Sequence, residues 1–184
     1  MENFFVSNLE GVKILDSSTS VDTRGSSTKL VNSFRSLGLE TVDNLLLSRN
    51  TSAGTLRGLH FQKPPNSESK VVTCISGKVM DYLVDLRPDS RTFGKWSKNL
   101  LDSTNPGILV IPKGIAHGYQ TLEPNTTILY SIDVPHSAAD QIVISFFDPY
   151  LSIPLEFESS HISNRDLEGI SMKEALTLVQ STPK

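Results

Sequence analysis

Six residues able to move protons or grip anions fall in short, turn-flanked blocks of the chain. Arg57 and His60 lie in "TLRGLHF", and Lys70 follows the Pro-rich turn "QKPPNSES". His117 lies in "IPKGIAHGY", Tyr130 in "TTILYSID" and Asp166 in "ISNRD". An imidazole titrates near neutrality and suits a general base. An ammonium stabilises an oxyanion that develops beside it. A guanidinium grips phosphate with two parallel hydrogen bonds, and a positioned phenol donates a proton. A carboxylate that reaches an imidazole orients it and raises its basicity, so Asp166 would serve His60 if its polar loop closed over the site. Each of the three central residues also has a plainer reading. His60 would then be a hydrogen-bonded core histidine, Tyr130 a packed core tyrosine and Asp166 a solvated carboxylate.

Other chemistries find less support. The four histidines, His60, His117, His136 and His161, form no H-x-H pair. Two of them do not close a metal site. There is no G-x-S-x-G nucleophile motif. Cys74, the only cysteine, lies in the apolar run "KVVTCISG", which suits a buried core residue and rules out an intrachain disulfide.

The elements that must position these residues read mostly as strands. "KVMDYLVDL" alternates, with Val79, Asp81, Leu83 and Asp85 on one face and Met80, Tyr82, Val84 and Leu86 on the other. "SKVVTCIS", "GKWSKNLLD", "GILVIPKGIAHGYQTLE", "TTILYSIDV" and "QIVISFFDP" follow at short spacing with Gly, Pro and Asp between them. This pattern predicts an all-β sandwich or barrel and leaves no room for crossover helices. Strict alternation in "LRGLHF" predicts that His60 points the same way as Gly58 and Gln62. Gly114 and Gly118 permit tight backbone beside His117. Near the N-terminus, "KILDSSTSVDTRGSSTKL" reads as a strand, a polar turn and a strand. "SFRSLGLE" predicts a short helix ending at Gly38. "SMKEALTLVQ" predicts a terminal helix capped by Ser171 and Glu174, and "STPK" is expected to fray.

The chain has 184 residues, 38% of them hydrophobic, and a formal net charge of −3. That predicts one globular domain with a substantial core over 1–184. The core is expected over about 10–157, with 158–184 packed on it. A net acidic chain lacks the basic stripe of a nucleic-acid surface. No apolar run is long enough for a bilayer span. The early Glu2 makes a poor signal peptide, and with the lone cysteine it predicts a cytoplasmic protein.

The blocks "DTRG" (22–25), "GTLRGLHFQKPP" (54–65), "GKVMDYLVDLR" (77–87), "IPKGIAHGY" (111–119), "LY" (129–130), "FDPYLSI" (147–153) and "ISNRD" (162–166) run in order through most of the chain. Through them the chain resembles the dTDP-4-dehydrorhamnose 3,5-epimerases and related nucleotide-sugar epimerases of the cupin superfamily. The resemblance implies a cupin-type jelly-roll barrel with short peripheral helices. It implies a homodimer that acts on a nucleoside-diphosphate 4-keto-6-deoxy sugar without cofactor or metal. By the same resemblance His60 is the catalytic base and Asp166 its partner, Lys70 meets the keto oxygen and Tyr130 is the acid. His117 contacts substrate, and Arg24 and Arg57 hold the diphosphate. Arg165 stands at a family lysine that binds substrate.

The departures cluster on nucleotide recognition. "LLL" (45–47) replaces a polar Gln-x-Asn stretch, Lys29 stands at a common glutamate, Ser131 at a lysine, and "DTRG" replaces "DERG". The expectation is an epimerase inverting C3, C5 or both, with dTDP, GDP or CDP as the nucleotide. A 3,4-ketoisomerase and a non-catalytic binding protein are the alternatives.

Overall fold

A computed structural model describes residues 4–158 and 161–181. The first sheet has the order β1–β2–β10–β7–β12–β5. Its strands are β1 (Phe4–Val6), β2 (Lys13–Asp16), β10 (Gly107–Ile111), β7 (Lys70–Ser76), β12 (Thr126–Ile132) and β5 (Asn44–Asn50). The second has the order β13–β6–β11–β8–β9. It comprises β13 (Gln141–Val143), β6 (Leu56–Gln62), β11 (Ile115–Thr121), β8 (Lys78–Asp85) and β9 (Trp96–Asp102). All pairings within both sheets are antiparallel. The fold is the β-rich, cupin-like barrel that the resemblance implied, and apart from β1–β2 and β8–β9 the strands paired in the two sheets are not consecutive in the chain.

The alternation read in β8 holds. Val79 and Leu83 point into the barrel with Val72, Leu109, Ile128 and Tyr130. Tyr82, Val84 and Leu86 point to the other face, which Met172 and Ala175 of the C-terminal segment cover. That segment carries α1 (Asn164–Leu167) and α2 (Met172–Ser181). The N–H of Glu174 donates to Ser171 Oγ while Ser171 N–H donates to Glu174 Oε2, the reciprocal cap predicted from sequence. Of "STPK", Ser181 ends α2 and the remainder lies outside the described residues.

Three local expectations are corrected. The polar turn after Asp16 is itself a hairpin, β3 (Ser18–Asp22) with β4 (Gly25–Lys29). "SFRSLGLE" forms a single 3-10 turn, Arg35–Leu37, ended by Gly38 in the left-handed region at φ 94°. The apolar "QIVISFFDP" pairs only over Gln141–Val143, because Ile144 and Phe146 leave the sheet to cover its outer face.

Candidate active site

Strands β6 and β11 set the two histidines side by side. His60 is in register opposite His117, and Arg57 opposite Tyr119, with a bulge between. Arg57 and His60 are three residues apart, so strict alternation would send them to opposite faces. The bulge resets the phase. Leu56 and Leu59 both pack on the outer face, and Arg57 and His60 both line the interior cavity. The earlier reading that His60 shares a face with Gly58 therefore fails. Gly58 is what makes the slip possible, with φ 110° and a position where a Cβ would lie 2.6 Å from Gly118 Cα.

The cavity these strands enclose has a volume of about 500 Å³ and opens between the two sheets. Arg57, His60, Lys70, His117, Tyr130 and Arg165 all line it, with Glu68, Ser48, Tyr119, His136 and Gln141 between them. Five residues expected from widely separated blocks thus meet at one site, and Arg165 joins them at the rim. A second cavity, about 460 Å³ beside Pro64 and Arg87, is mostly apolar. Its guanidinium is already spent on Asp85 and the Glu10 carbonyl.

His60, Lys70, His117 and Arg57 each have a side-chain partner at the main cavity. His60 Nε2 lies 2.7 Å from Asp166 Oδ1, and Gly58 N–H donates to Asp166 Oδ2 at 3.3 Å. Asp166 is not in a solvated loop. It sits in α1, whose cap Ser163 accepts from its N–H, and it is 4% exposed. Burial pushes its carboxyl pKa up, but the His60 contact and the Gly58 N–H outweigh this and hold it below the usual value.

His117 Nε2 lies 2.6 Å from Asp81 Oδ2, and both side chains are buried. The sequence showed Asp81 only as one position on an alternating strand, without a role. Its signal was an acidic residue between Val79 and Leu83 on the interior face, which demands a partner. Lys70 Nζ pairs with Glu68 Oε1 at 2.8 Å, both buried. Glu68 was likewise missed, because it lies in a turn-rich stretch that reads as solvated.

Tyr130 projects from the opposite sheet, its ring edge-on to His117 at 5.7 Å. Burial first, then the neighbouring Tyr119 and the Asp81 charge, raise its phenol pKa well above the ordinary value. It therefore carries its proton at neutral pH, as a proton donor must. Arg57 Nε donates to Asn50 Oδ1 at 2.9 Å, which fixes the guanidinium and leaves its terminal nitrogens for a ligand. Arg165 bonds the Gln141 amide oxygen and so ties α1 to β13.

Arg24 is not brought to this cavity. It lies at the tip of the β3–β4 hairpin, exposed and paired with Asp22. In β5, Leu46 is in register with Tyr130, and Leu45 and Leu46 both line the cavity, whereas Leu47 does not. Burial pushes the Cys74 thiol up to about 11, so it is no nucleophile. Among the described residues no group of three or more His, Cys, Asp or Glu side chains is placed to hold a metal.

Comparison with known proteins shows the family and the fold. The profile of the dTDP-4-dehydrorhamnose 3,5-epimerase family matches residues 6–174. The chain belongs to that family. A dTDP-4-dehydrorhamnose 3,5-epimerase of Mycobacterium tuberculosis (strain CDC 1551 / Oshkosh) is 38% identical over 127 residues, 67% of this chain and 63% of that protein. The match thus spans under two thirds of that relative's length. The crystal structure of the Bacillus anthracis enzyme of the same description, with TDP and PPi bound, superposes with a TM-score of 0.88 at 33% identity. It covers 94% of this chain and 100% of that one. NovW, a 4-keto-6-deoxy sugar epimerase from the novobiocin biosynthetic gene cluster of Streptomyces spheroides, superposes at 0.89 with 27% identity, covering 97% and 91%. Among the described residues no helix is long and apolar enough to cross a membrane.

Proposed function

We propose that this member of the family is an epimerase that inverts C3, C5 or both of a nucleoside-diphosphate 4-keto-6-deoxy sugar. The observation that carries the reading is the opposition of His60, backed by buried Asp166, and a protonated Tyr130 on the facing sheet of one cavity. The hydrogens on C3 and C5 flank a carbonyl and are acidic for that reason. His60 takes one of them, and Asp166 stabilises the imidazolium that forms. The electron pair moves onto O4, where Lys70, buried beside Glu68, meets the enolate charge. Tyr130 then returns a proton to carbon from the opposite side, which inverts the centre. The imidazolium and phenolate exchange a proton through solvent or product to reset the pair. His117, held by Asp81, contacts the substrate beside Lys70. No step draws on a cofactor.

Arg57 is assigned to the nucleotide diphosphate and Arg165 to substrate binding at the same cavity. Arg24 stands outside its own chain's cavity, so its assignment to the diphosphate requires a second copy and accords with a homodimer. The nucleotide is dTDP, or GDP or CDP where the "LLL" stretch (45–47) has replaced polar recognition of thymine. We read the chain as one domain, located in the cytoplasm.

Incubation with the three 4-keto nucleotide sugars in deuterated water tests the proposal. Deuterium at C3 or C5, with inverted product, is the expected result and shows which carbons react. No incorporation from any of the three overturns the epimerase reading. A carbonyl moved to C3 in the product would instead make the protein a ketoisomerase, and tight binding without turnover a binding protein.

A further inference from the structure

Asp81 does more than face His117. Strand β8 has β11 on one side and β9 on the other. Across β9, Asp81 is in register with Asn99, Leu83 with Ser97 and Val79 with Leu101. Residues directly opposite in an antiparallel pair share a face. Val79, Leu83 and Leu101 belong to the barrel interior, so Asp81, Asn99 and Ser97 point inward with them.

Three side-chain atoms in this row are buried and have no hydrogen-bond partner among the described residues. They are Asp81 Oδ1, Ser97 Oγ and Asn99 Nδ2. Leaving a buried carboxylate oxygen unpaired is costly, and three such atoms on two adjacent strands form one polar patch. Their chemistry is complementary: one only accepts, one only donates and the hydroxyl does either. A cation would be repelled by the amide N–H groups, and an anion by the carboxylate. Only a small neutral group that both donates and accepts satisfies all three. Opposed residues in a sheet stand about 5 Å apart at Cβ, a gap that one water bridges, and buried waters usually make about three hydrogen bonds.

We propose that one internal water is built into the barrel behind His117. It donates to Asp81 Oδ1, accepts from Asn99 Nδ2 and bonds Ser97 Oγ. Asn99 and Ser97 are then positioning residues that act through this water on the Asp81–His117 pair. Burial outweighs the pull of His117 and Lys70 and leaves the Asp81 pKa above the ordinary carboxylate value. The water adds a hydrogen bond to the ionised form and pulls downward with His117 and Lys70. Asp81 so held fixes one tautomer of His117 and presents the other ring nitrogen to the cavity. Besides His117 of β11 and Lys70 of β7, the titratable group that senses Asp81 from across the barrel is Tyr130 of β12. Because β9 is a sheet edge and Asn99 is part-exposed, water enters from that edge without crossing the sugar cavity.

The water itself does not depend on the epimerase reading, whereas its effect on turnover does. A crystal structure of the full chain at a resolution that shows ordered water is expected to place one water within hydrogen-bond distance of all three atoms. An Asn99 amide bonded directly to Asp81, with nothing between them, overturns the site. The paired variant Asn99→Leu, Ser97→Val should lose the water and lower kcat for deuterium exchange about tenfold with KM nearly unchanged. Ser97→Thr, which keeps the hydroxyl, should retain both water and rate. Loss of the water with wild-type kcat overturns the positioning role. A wild-type protein that shows the water but no exchange at all refutes the epimerase reading and leaves the water site standing.

Discussion

Replacing Asp166 by Asn is the sharpest perturbation of the proton-transfer machinery, because the change is nearly isosteric and both carboxylate oxygens are spoken for. Oδ1 faces His60 at 2.7 Å and Oδ2 accepts from Gly58 N–H. An asparagine that keeps its oxygen on His60 turns its NH2 toward the Gly58 N–H, donor against donor. One that keeps its oxygen on Gly58 donates to His60 instead. The imidazole must then carry its proton on the nitrogen that should take one from carbon. Either orientation also removes the charge that stabilises the imidazolium. A hydrogen bond to a charged group contributes about 1.5–3 kcal/mol, so exchange should slow by about 10- to 150-fold. Asp166 does not line the cavity, so the loss should fall on kcat and leave KM nearly constant. The assay is the initial rate of deuterium incorporation at C3 and C5 against substrate concentration, on a variant whose circular dichroism matches wild type. An unchanged kcat, or a loss confined to KM, would refute the assignment of Asp166 as partner of the base.

Tyr130→Phe removes the proton donor but not the base, so solvent exchange should persist while net inversion fails, read by NMR of the recovered sugar. Lys70→Met should lower kcat by about a hundredfold or more. It also strands Glu68 as a buried unpaired carboxylate, a loss of about 3–5 kcal/mol of stability in urea unfolding that adding Glu68→Gln should partly restore. Acid should destabilise the fold through Asp85 and Asp166. Burial pushes both carboxyls up, but Arg87, Ser90 and Thr92 hold Asp85, and His60 holds Asp166, below their ordinary values. A depressed native pKa gives stability that is full above the unfolded value and lost as pH falls through the native one. Urea midpoints should therefore be flat near neutrality and fall below about pH 4, less steeply in Asp166→Asn. A midpoint that rises on acidification would contradict this.

The strands were legible wherever alternation was clean, as in β8, where Val79 and Leu83 face inward and Tyr82 and Val84 outward. Alternation failed in β6, since a bulge leaves no mark except a glycine, and one Gly58 does not say which way the phase slips. The site was legible as residue types. His60, Lys70, His117 and Tyr130 sit in blocks too polar for plain core strands. Their partners were not legible, because a carboxylate discloses its burial only through long-range contacts. Asp166 is 106 residues from His60 in the chain, Asp81 reads as one more strand residue, and Glu68 hides in a turn. Arg24 belongs to a block of the family pattern, yet its hairpin carries it away from its own cavity.

The carboxylate that serves His60 arrives on α1, outside both sheets and after every barrel strand in the chain. Synthesis runs from the N-terminus, and early segments begin folding first. A nascent chain can therefore close its barrel, complete with His117 and Asp81, while His60 still lacks its partner. The His60–Asp166 pair is completed only after every barrel strand has been made, when "ISNRD" docks against Gly58. A protein cut after β13 would lose the partner of its base together with Ile144, Phe146, Met172 and Ala175, which cover the outer face of the second sheet.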